Sequence, residues 1–273
     1  MCCCEDTCDT AFFLKTCEVF NPYEIATRQQ LDRIVPESIS VDIVFLFHHA
    51  QPINYGYCWK YWTTVVDLTQ SSEELYGRFS TNYRNEIAKS EREDQARVYW
   101  LHPNSVEEII ELLELCDKWA VNSGSPRFDF ARASAFAQDK QLILSYIEFT
   151  GQVCCIHVYW LDDNWIGLYF SKSMHENLVS KKIVARLNKR LHYVDMMEAQ
   201  KVGCEYYDFL GCMQETNDEK VKSIAAFKRR FGGDLVCNYC TLVPRSFKGW
   251  LALQLYKNKK WFLFIRKLII DKQ

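Results

Sequence analysis

The chain has 273 residues, 48% of them hydrophobic and 25% charged, so it holds one large domain or two small ones with a sizeable core. Its net charge of −2 sets up no general basic field, which argues against a nucleic-acid-coating role. Thirteen cysteines, an odd number spread mostly through apolar stretches behind no cationic leader, argue against a disulfide scaffold and for a reduced, cytoplasmic setting.

The first forty residues carry little periodic signal. Cys2, Cys3, Cys4 and Cys8 invite a metal or lipid reading, but adjacent cysteines rarely all reach one tetrahedral ion, and a loose terminus is expected. Ala11-Phe12-Phe13-Leu14 reads as one short buried piece. Val41 to Phe47 is β-branched and aromatic and predicts a strand. His48 and His49 follow it. With no third ligand nearby, they read as strand-end hydrogen bonders rather than a metal pair. Trp62 to Leu68 predicts a second strand.

Ser71-Ser72-Glu73-Glu74 holds a Ser-x-x-Glu capping box, opening a helix that runs to about Arg92. Tyr83, Arg84 and Lys89 lie on it. Its charged face is either solvated or a phosphate contact, and the residues alone leave both open. Ala96 to Leu101 is strand-like. Next, Val106, Ile109, Ile110, Leu113, Cys116 and Ala120 trace one side of an amphipathic helix, broken by Asn122 to Pro126. A weaker helical piece covers Ala131 to Asp139.

Three strands follow, Gln141 to Phe149, Gln152 to Trp160 and Trp165 to Ser171, with Tyr169 on the last. Their connections, Thr150-Gly151 and Asp162-Asp163-Asn164, are short enough for hairpins. His157 sits mid-strand and reads as core; with His175 it is also a possible base. A helix is predicted from about Leu178 to Lys201, with Lys181, Lys182, Arg186, Lys189 and Arg190 along it. Helix N-termini attract anions.

Tyr206 to Gly211 reads as a short buried strand carrying one acid, Asp208. Thr216-Asn217-Asp218-Glu219 has a capping-box pattern. The helix it opens carries Ile224, Phe227, Lys228 and Phe231, and Gly232-Gly233 ends it. Cys237 and Cys240 form a Cys-x-x-Cys inside a strand-like run, Asp234 to Thr241. Residues three apart on a strand point to opposite faces, so packing is expected there rather than chelation.

From Arg245 to the end there are eight basic residues against Asp271 alone, interleaved with Phe247, Trp250, Leu251, Tyr256, Trp261, Phe262 and Phe264. One reading is an interfacial helix on an anionic membrane, where each basic residue contributes about 1 kcal/mol. The other is a terminal helix over a sheet edge. No uncharged run there is long enough to span a bilayer.

The strand Tyr206-Tyr207-Asp208-Phe209-Leu210-Gly211, followed by Phe227-Lys228-Arg229-Arg230-Phe231-Gly232-Gly233, resembles the C-terminal signature of Fem-type aminoacyltransferases, members of the GNAT-like acyltransferase superfamily. The second half matches closely. The first departs at Leu210, where that family usually has Gly, which reshapes the groove at the strand end. Phe79, Arg84, Ile87 and Ser90, with Tyr83 before the Arg, resemble a further Fem-type pattern, so the likeness spans roughly residues 62 to 233. The element order read from the residue patterns is also that of a GNAT-like domain.

The resemblance implies a mixed α/β (α+β) fold: a largely antiparallel sheet flanked by helices, with a truncated second GNAT-like half at the N-terminus. The domains would be 1–95, 96–244 and a basic helix, 245–273. It implies an N-acyltransferase. Lys228 would lie near the carrier phosphate or the developing negative charge, and Asp208 would orient the amine or take its proton. Lys181, Lys182, Arg186 and Phe227 would hold the carrier, and Tyr83, Arg84, Tyr169 and Tyr207 the acceptor. No metal is implied.

The acetyl-CoA loop of orthodox GNAT enzymes, Gln/Arg-x-x-Gly-x-Gly/Ala, is replaced by Ser173-Met174-His175-Glu176-Asn177. That departure suits aminoacyl-tRNA, while the small net charge tilts towards acyl-CoA. The acceptor expected is an amino sugar or peptide of a cell-envelope or polysaccharide precursor. Two other readings stand beside this one: a noncatalytic GNAT-like scaffold, and a thiol-rich metal or redox protein.

Overall fold

The computed structural model of the chain describes residues 2–3, 8–9, 14–20, 28–36, 38–174, 179–211 and 217–257. Ala11 to Phe13, His175, Thr216 and the basic tail beyond Lys257 lie outside the described residues.

The N-terminal elements are β1 (Cys2–Cys3), β2 (Cys8–Asp9), β3 (Leu14–Phe20), α1 (Arg28–Ile34), β4 (Ile43–His49) and β5 (Tyr57–Asp67). Next come α2 (Ser72–Arg78), α3 (Thr81–Glu93), β6 (Arg97–Leu101), a 3₁₀ turn at Val106–Ile109, α4 (Ile110–Asn122) and α5 (Phe130–Gln138). The remainder are β7 (Leu142–Phe149), β8 (Gln152–Asp162), β9 (Trp165–Ser173), α6 (Lys181–Lys201), β10 (Tyr206–Asp208), α7 (Glu219–Arg229), β11 (Asp234–Pro244) and α8 (Phe247–Lys257).

The chain divides into two compact units. One is Met1–Trp62 with Val236–Gln273, and the other is Thr63–Leu235. The boundary expected at residues 95 and 96 therefore falls inside the second unit, between α3 and β6. Residues 236–244 group with the N-terminal residues instead of with the strands that precede them.

In the first unit β3 runs parallel to β4, and β4 pairs antiparallel with β11. Cys2–Cys3 and Cys8–Asp9 pair with β3, so this part of the expected loose terminus is strand. Cys17, Val19, Leu31, Val35, Val44, Leu46 and Val243 form one buried cluster, in which the alternating inward residues of three strands meet α1. The histidines that end β4 bond as strand-end groups: His49 to the Gln51 carbonyl and Thr241, at 2.6 and 2.9 Å, and His48 to Asn238.

The second unit is the mixed, largely antiparallel sheet flanked by helices. β6, β7, β8 and β9 pair antiparallel in succession, β10 joins β9 in parallel, and the end of β5 pairs antiparallel with β10. Period-two alternation divides β8 between two layers. Tyr159 enters a core built with Leu75, Phe79, Tyr83, Met196, Tyr207, Phe209 and Phe231. Its neighbour Trp160 stacks on Phe136 of α5. Burying side chains of this size contributes about 1.5–3 kcal/mol each.

The capping box at Ser71 and Glu74 is present. The long helix predicted after it is two helices. Phe79 is extended (φ −65°, ψ 145°), and the Ser80 N–H, which would otherwise continue the helix, donates to the carbonyl of Arg230 at 2.9 Å. α7 is capped by Asp218, which accepts from the N–H groups of Lys220 and Val221. Among the described residues no helix is long and apolar enough to cross a membrane.

Candidate active site

The geometry that sets this site is the point where one of two parallel strands ends and the other continues. Pairing of β10 with β9 begins at Tyr206–Trp165 and ends at Asp208–Gly167. β9 continues for six residues to Ser173, paired along its other side with β8. Past Gly167, among the described residues, its β10-facing edge carries no ladder, so its N–H and C=O groups are suited to an extended ligand.

Leu210 stands at the apex. It is in the left-handed region (φ 42°), where a Cβ is costly, and its side chain lies against Gly167: a Cβ added there would sit 3.4 Å from Leu210 Cδ1 and 3.1 Å from Trp160. The residue that departs from the Fem-type pattern therefore fills the point where the pairing ends.

Asp208 holds that turn. One carboxylate oxygen accepts from the Leu210 N–H at 2.7 Å and from the Thr63 hydroxyl, and the residue is fully buried. This is the geometry of a turn cap. Lys228 holds the same turn. Its Nζ donates to the carbonyl oxygens of Phe209 (2.9 Å), Gly211 (2.6 Å) and Leu210, fastening α7 to the turn. Strand end and helix are thus joined through the two residues that the sequence motif singles out.

The other candidates are more scattered. Lys181 and Lys182 are exposed on the first turn of α6, which has no acid in that turn and no side-chain bond from its cap, Ser180. Arg186 is engaged elsewhere, forking onto buried Asp94 with Nε at 2.9 Å. Burial alone would raise the Asp94 carboxyl, but Arg186 and Ser90 outweigh it and hold it below the usual carboxylate range.

Phe227 packs in the aromatic core beside Tyr83. Burial pushes the Tyr83 hydroxyl up to about 12. Arg84 caps α2 through the carbonyls of Gly77 and Phe79, at 2.6 and 2.7 Å. Tyr169 packs edge-on to Phe136, with Arg132 over its ring.

Two features escaped the sequence. The first is Lys172, near the open end of β9. Burial, with repulsion from Lys220 on the first turn of α7, pushes its ammonium below the ordinary lysine range. Its only sequence signal is the polar Ser171-Lys172-Ser173 ending an apolar strand.

The second is a buried polar network around Tyr207. Its hydroxyl meets those of Tyr159 and, through Nδ1, His192, both at 2.8 Å. The Tyr159 hydroxyl donates to Asp195, which His157 also contacts at 2.7 Å, and His157 meets Asn188 at 2.9 Å. His157, read as core, is fully buried. Donor atoms of His157, His192 and Asp195 lie within 4.8 Å of one another, a spacing that metal ligands also show. Hydrogen bonds join the three to Tyr159, Tyr207 and Asn188, while Asp195 Oδ1 is buried with no hydrogen-bond partner among the described residues. Burial, followed by the His157 ring and the Lys228 charge, pushes His192 well below its usual range, so it is neutral.

Burial also raises the thiols of Cys116 and Cys240 to about 12 and Cys204 to about 11. Thiols so raised are weak nucleophiles and poor metal ligands at neutral pH.

Solved structures share this architecture. FemX aligns with 89% of this chain and 83% of its own, at 11% identity and a TM-score of 0.64. The C-terminal domain of a putative lysylphosphatidylglycerol synthetase from Agrobacterium fabrum gives 88%, 81%, 12% and 0.57 for the same quantities. For L-PGS from Bacillus licheniformis they are 88%, 81%, 11% and 0.55. The likeness is one of fold. No protein-family model and no curated protein matches the sequence. The mixed, largely antiparallel sheet flanked by helices that the sequence leads one to expect is observed, and these solved structures share it.

Proposed function

We propose that the protein is an N-acyltransferase, taking an acyl group from an activated carrier and delivering it to an amine. The observation that carries this reading is the end of β10–β9 pairing at Asp208 and Gly167, beyond which the β9 edge leading to Lys172 carries no ladder among the described residues. The fold likeness to FemX and to lysylphosphatidylglycerol synthetase domains supports it.

In such a transfer the amine nitrogen attacks the acyl carbonyl carbon. A C–N bond forms, the bond from acyl carbon to carrier breaks, and the amine loses a proton. The carrier supplies the activated acyl group. β9 backbone groups past Gly167 would align it, and Lys181, Lys182 and the N-terminus of α6 would hold its phosphates. Lys172, partly desolvated, would oppose negative charge developing on the carbonyl oxygen. Asp208 and Lys228 act on the reaction by fixing the turn that bears Leu210.

The donor we favour is an acyl-CoA such as acetyl-CoA, because the net charge of −2 gives little general attraction for tRNA. Aminoacyl-tRNA is the second reading, supported by the departure from the orthodox acetyl-CoA loop at Ser173 to Asn177. The acceptor would be an amino sugar or a peptide of an envelope or polysaccharide precursor, met on the cytoplasmic side. A binding scaffold without catalysis is the third reading, which Leu210 at the apex favours.

Mass spectrometry of amino-sugar and peptide amines, incubated with acetyl-CoA or charged tRNA, tests the proposal. Acylated product with wild type, and at least about tenfold less with Lys172→Met, is expected. Carrier binding without product from any donor supports the scaffold.

A further inference from the structure

One helix of the first unit presents an outward face that packing leaves unexplained. The inner side of α8 is pinned: a Cβ on Gly249 would stand 1.9 Å from the Asp42 carbonyl oxygen, and Leu253 is buried. Tyr256, one turn on, meets the edge of Tyr57 at 5.4 Å. Just before the helix, the Arg245 N–H donates to the Asp42 carbonyl at 2.8 Å and its guanidinium pairs with Asp32. The rotation of α8 about its own axis is therefore fixed.

That rotation turns Phe247, Trp250 and Leu251 outward, at 76%, 48% and 46% exposure. At 3.6 residues per turn the three fall within an arc of about 100°. Phe247 and Trp250 stack on one another, with centroids 5.8 Å apart, so the apolar surface is continuous. The other exposed large apolar residues among those described, Val121, Val202 and Ile224, are remote in sequence from this helix. Lys248 and Lys257, both exposed, flank the stripe on either side.

Charge decides what such a stripe meets. Residues 245–273 hold eight basic residues and one acid, although the whole chain is net negative. An apolar aromatic stripe bordered by lysines in a locally basic segment complements anionic phospholipid: rings enter the headgroup layer while ammonium groups meet phosphates. We propose that this face of α8 docks on an anionic bilayer surface and holds the protein there peripherally. The proposal does not depend on the acyl-transfer reading.

Co-sedimentation of the full chain with vesicles tests it, using phosphatidylcholine alone and with about 30% phosphatidylglycerol. The protein is expected on the anionic vesicles, with binding falling about tenfold at high salt. Phe247→Ser with Trp250→Ser should lower that binding at least about fivefold with the melting temperature unchanged, since both side chains are exposed. Lys248→Glu with Lys257→Glu should lower it through charge. Absence of wild-type binding, or binding that the apolar pair leaves intact, overturns the proposal. So does an apolar-pair variant that dissociates a dimer in sedimentation velocity without losing vesicle binding, since a second copy would then be the occupant.

Discussion

Lys228 Nζ donates to the carbonyl oxygen of Phe209 at 2.9 Å, so the motif's cation is bonded to the turn after the short strand that carries its acid. Asp208 grips the same turn through the Leu210 N–H. The two residues act on one piece of backbone. Their spacing in sequence therefore follows from a shared structural task at the turn where the pairing ends.

Removing the cation leaves three carbonyls without their donor. Lys228→Met is expected to cost about 1–3 kcal/mol, read as a lowered denaturant midpoint. Turnover should fall further than stability, because the turn that carries Leu210 loses its anchor. Unchanged stability would show that the bonds to Phe209, Leu210 and Gly211 contribute nothing net.

Leu210 and Gly167 are in contact, so their substitutions should couple. Gly167→Ala places a methyl 3.4 Å from Leu210 and 3.1 Å from Trp160, and a cost of about 1 kcal/mol is expected. In a Leu210→Gly background that cost should shrink, and a double-mutant cycle in urea measures the difference. Leu210→Gly alone should also admit bulkier acyl groups, read as a changed butyryl-to-acetyl ratio in donor competition.

Arg186 and the pair Lys181 and Lys182 should separate in opposite ways. Arg186→Met strands the buried Asp94 carboxylate, and a loss of about 3 kcal/mol is expected with donor affinity little altered. Lys181→Ala with Lys182→Ala should leave the melting temperature in place and weaken donor binding several-fold. A weakened donor from Arg186→Met at full stability would instead place that residue in the carrier site.

Stability should fall as the solution is acidified below neutral. His192 titrates near 6.5 when unfolded and well below that when folded, so between the two values the unfolded chain binds the extra proton. Its contribution is complete above about pH 6.5 and is lost progressively as pH falls towards the folded value, at up to about 1.4 kcal/mol per pH unit. His49, lowered chiefly by burial, adds in the same direction. The carboxylates held low, Asp42, Asp67, Asp94 and Asp117, act only at lower pH, near and below about 4. Denaturant midpoints between pH 7.5 and 5, in wild type and His192→Phe, measure the slope and the share that His192 carries.

The elements that were legible in the sequence are those whose signals are local. The meander from Leu142 to Ser173 alternates and turns at Thr150-Gly151, and the box at Ser71 and Glu74 names its own helix start. What failed depended on distant partners. The break at Phe79 and Ser80 follows from the Arg230 carbonyl, 150 residues away, taking the Ser80 N–H. The network joining His157, Asp195, His192 and Tyr207 has no spacing pattern, because β8, α6 and β10 meet only in the fold. Lys172 acquires meaning only once β10 stops at Asp208 and β9 continues. The Phe-Lys motif pointed to the turn at Phe209 to Gly211, while the bonds of its lysine to backbone carbonyls needed coordinates.

The account stands most directly on whether the open edge of β9 receives an acyl carrier. Calorimetric titration with CoA, acetyl-CoA and charged tRNA, on wild type and on Lys181→Ala with Lys182→Ala, measures this. One carrier should bind wild type with a dissociation constant on the order of micromolar and bind the variant several-fold more weakly. Absence of binding by all three, or equal binding by both proteins, would contradict it.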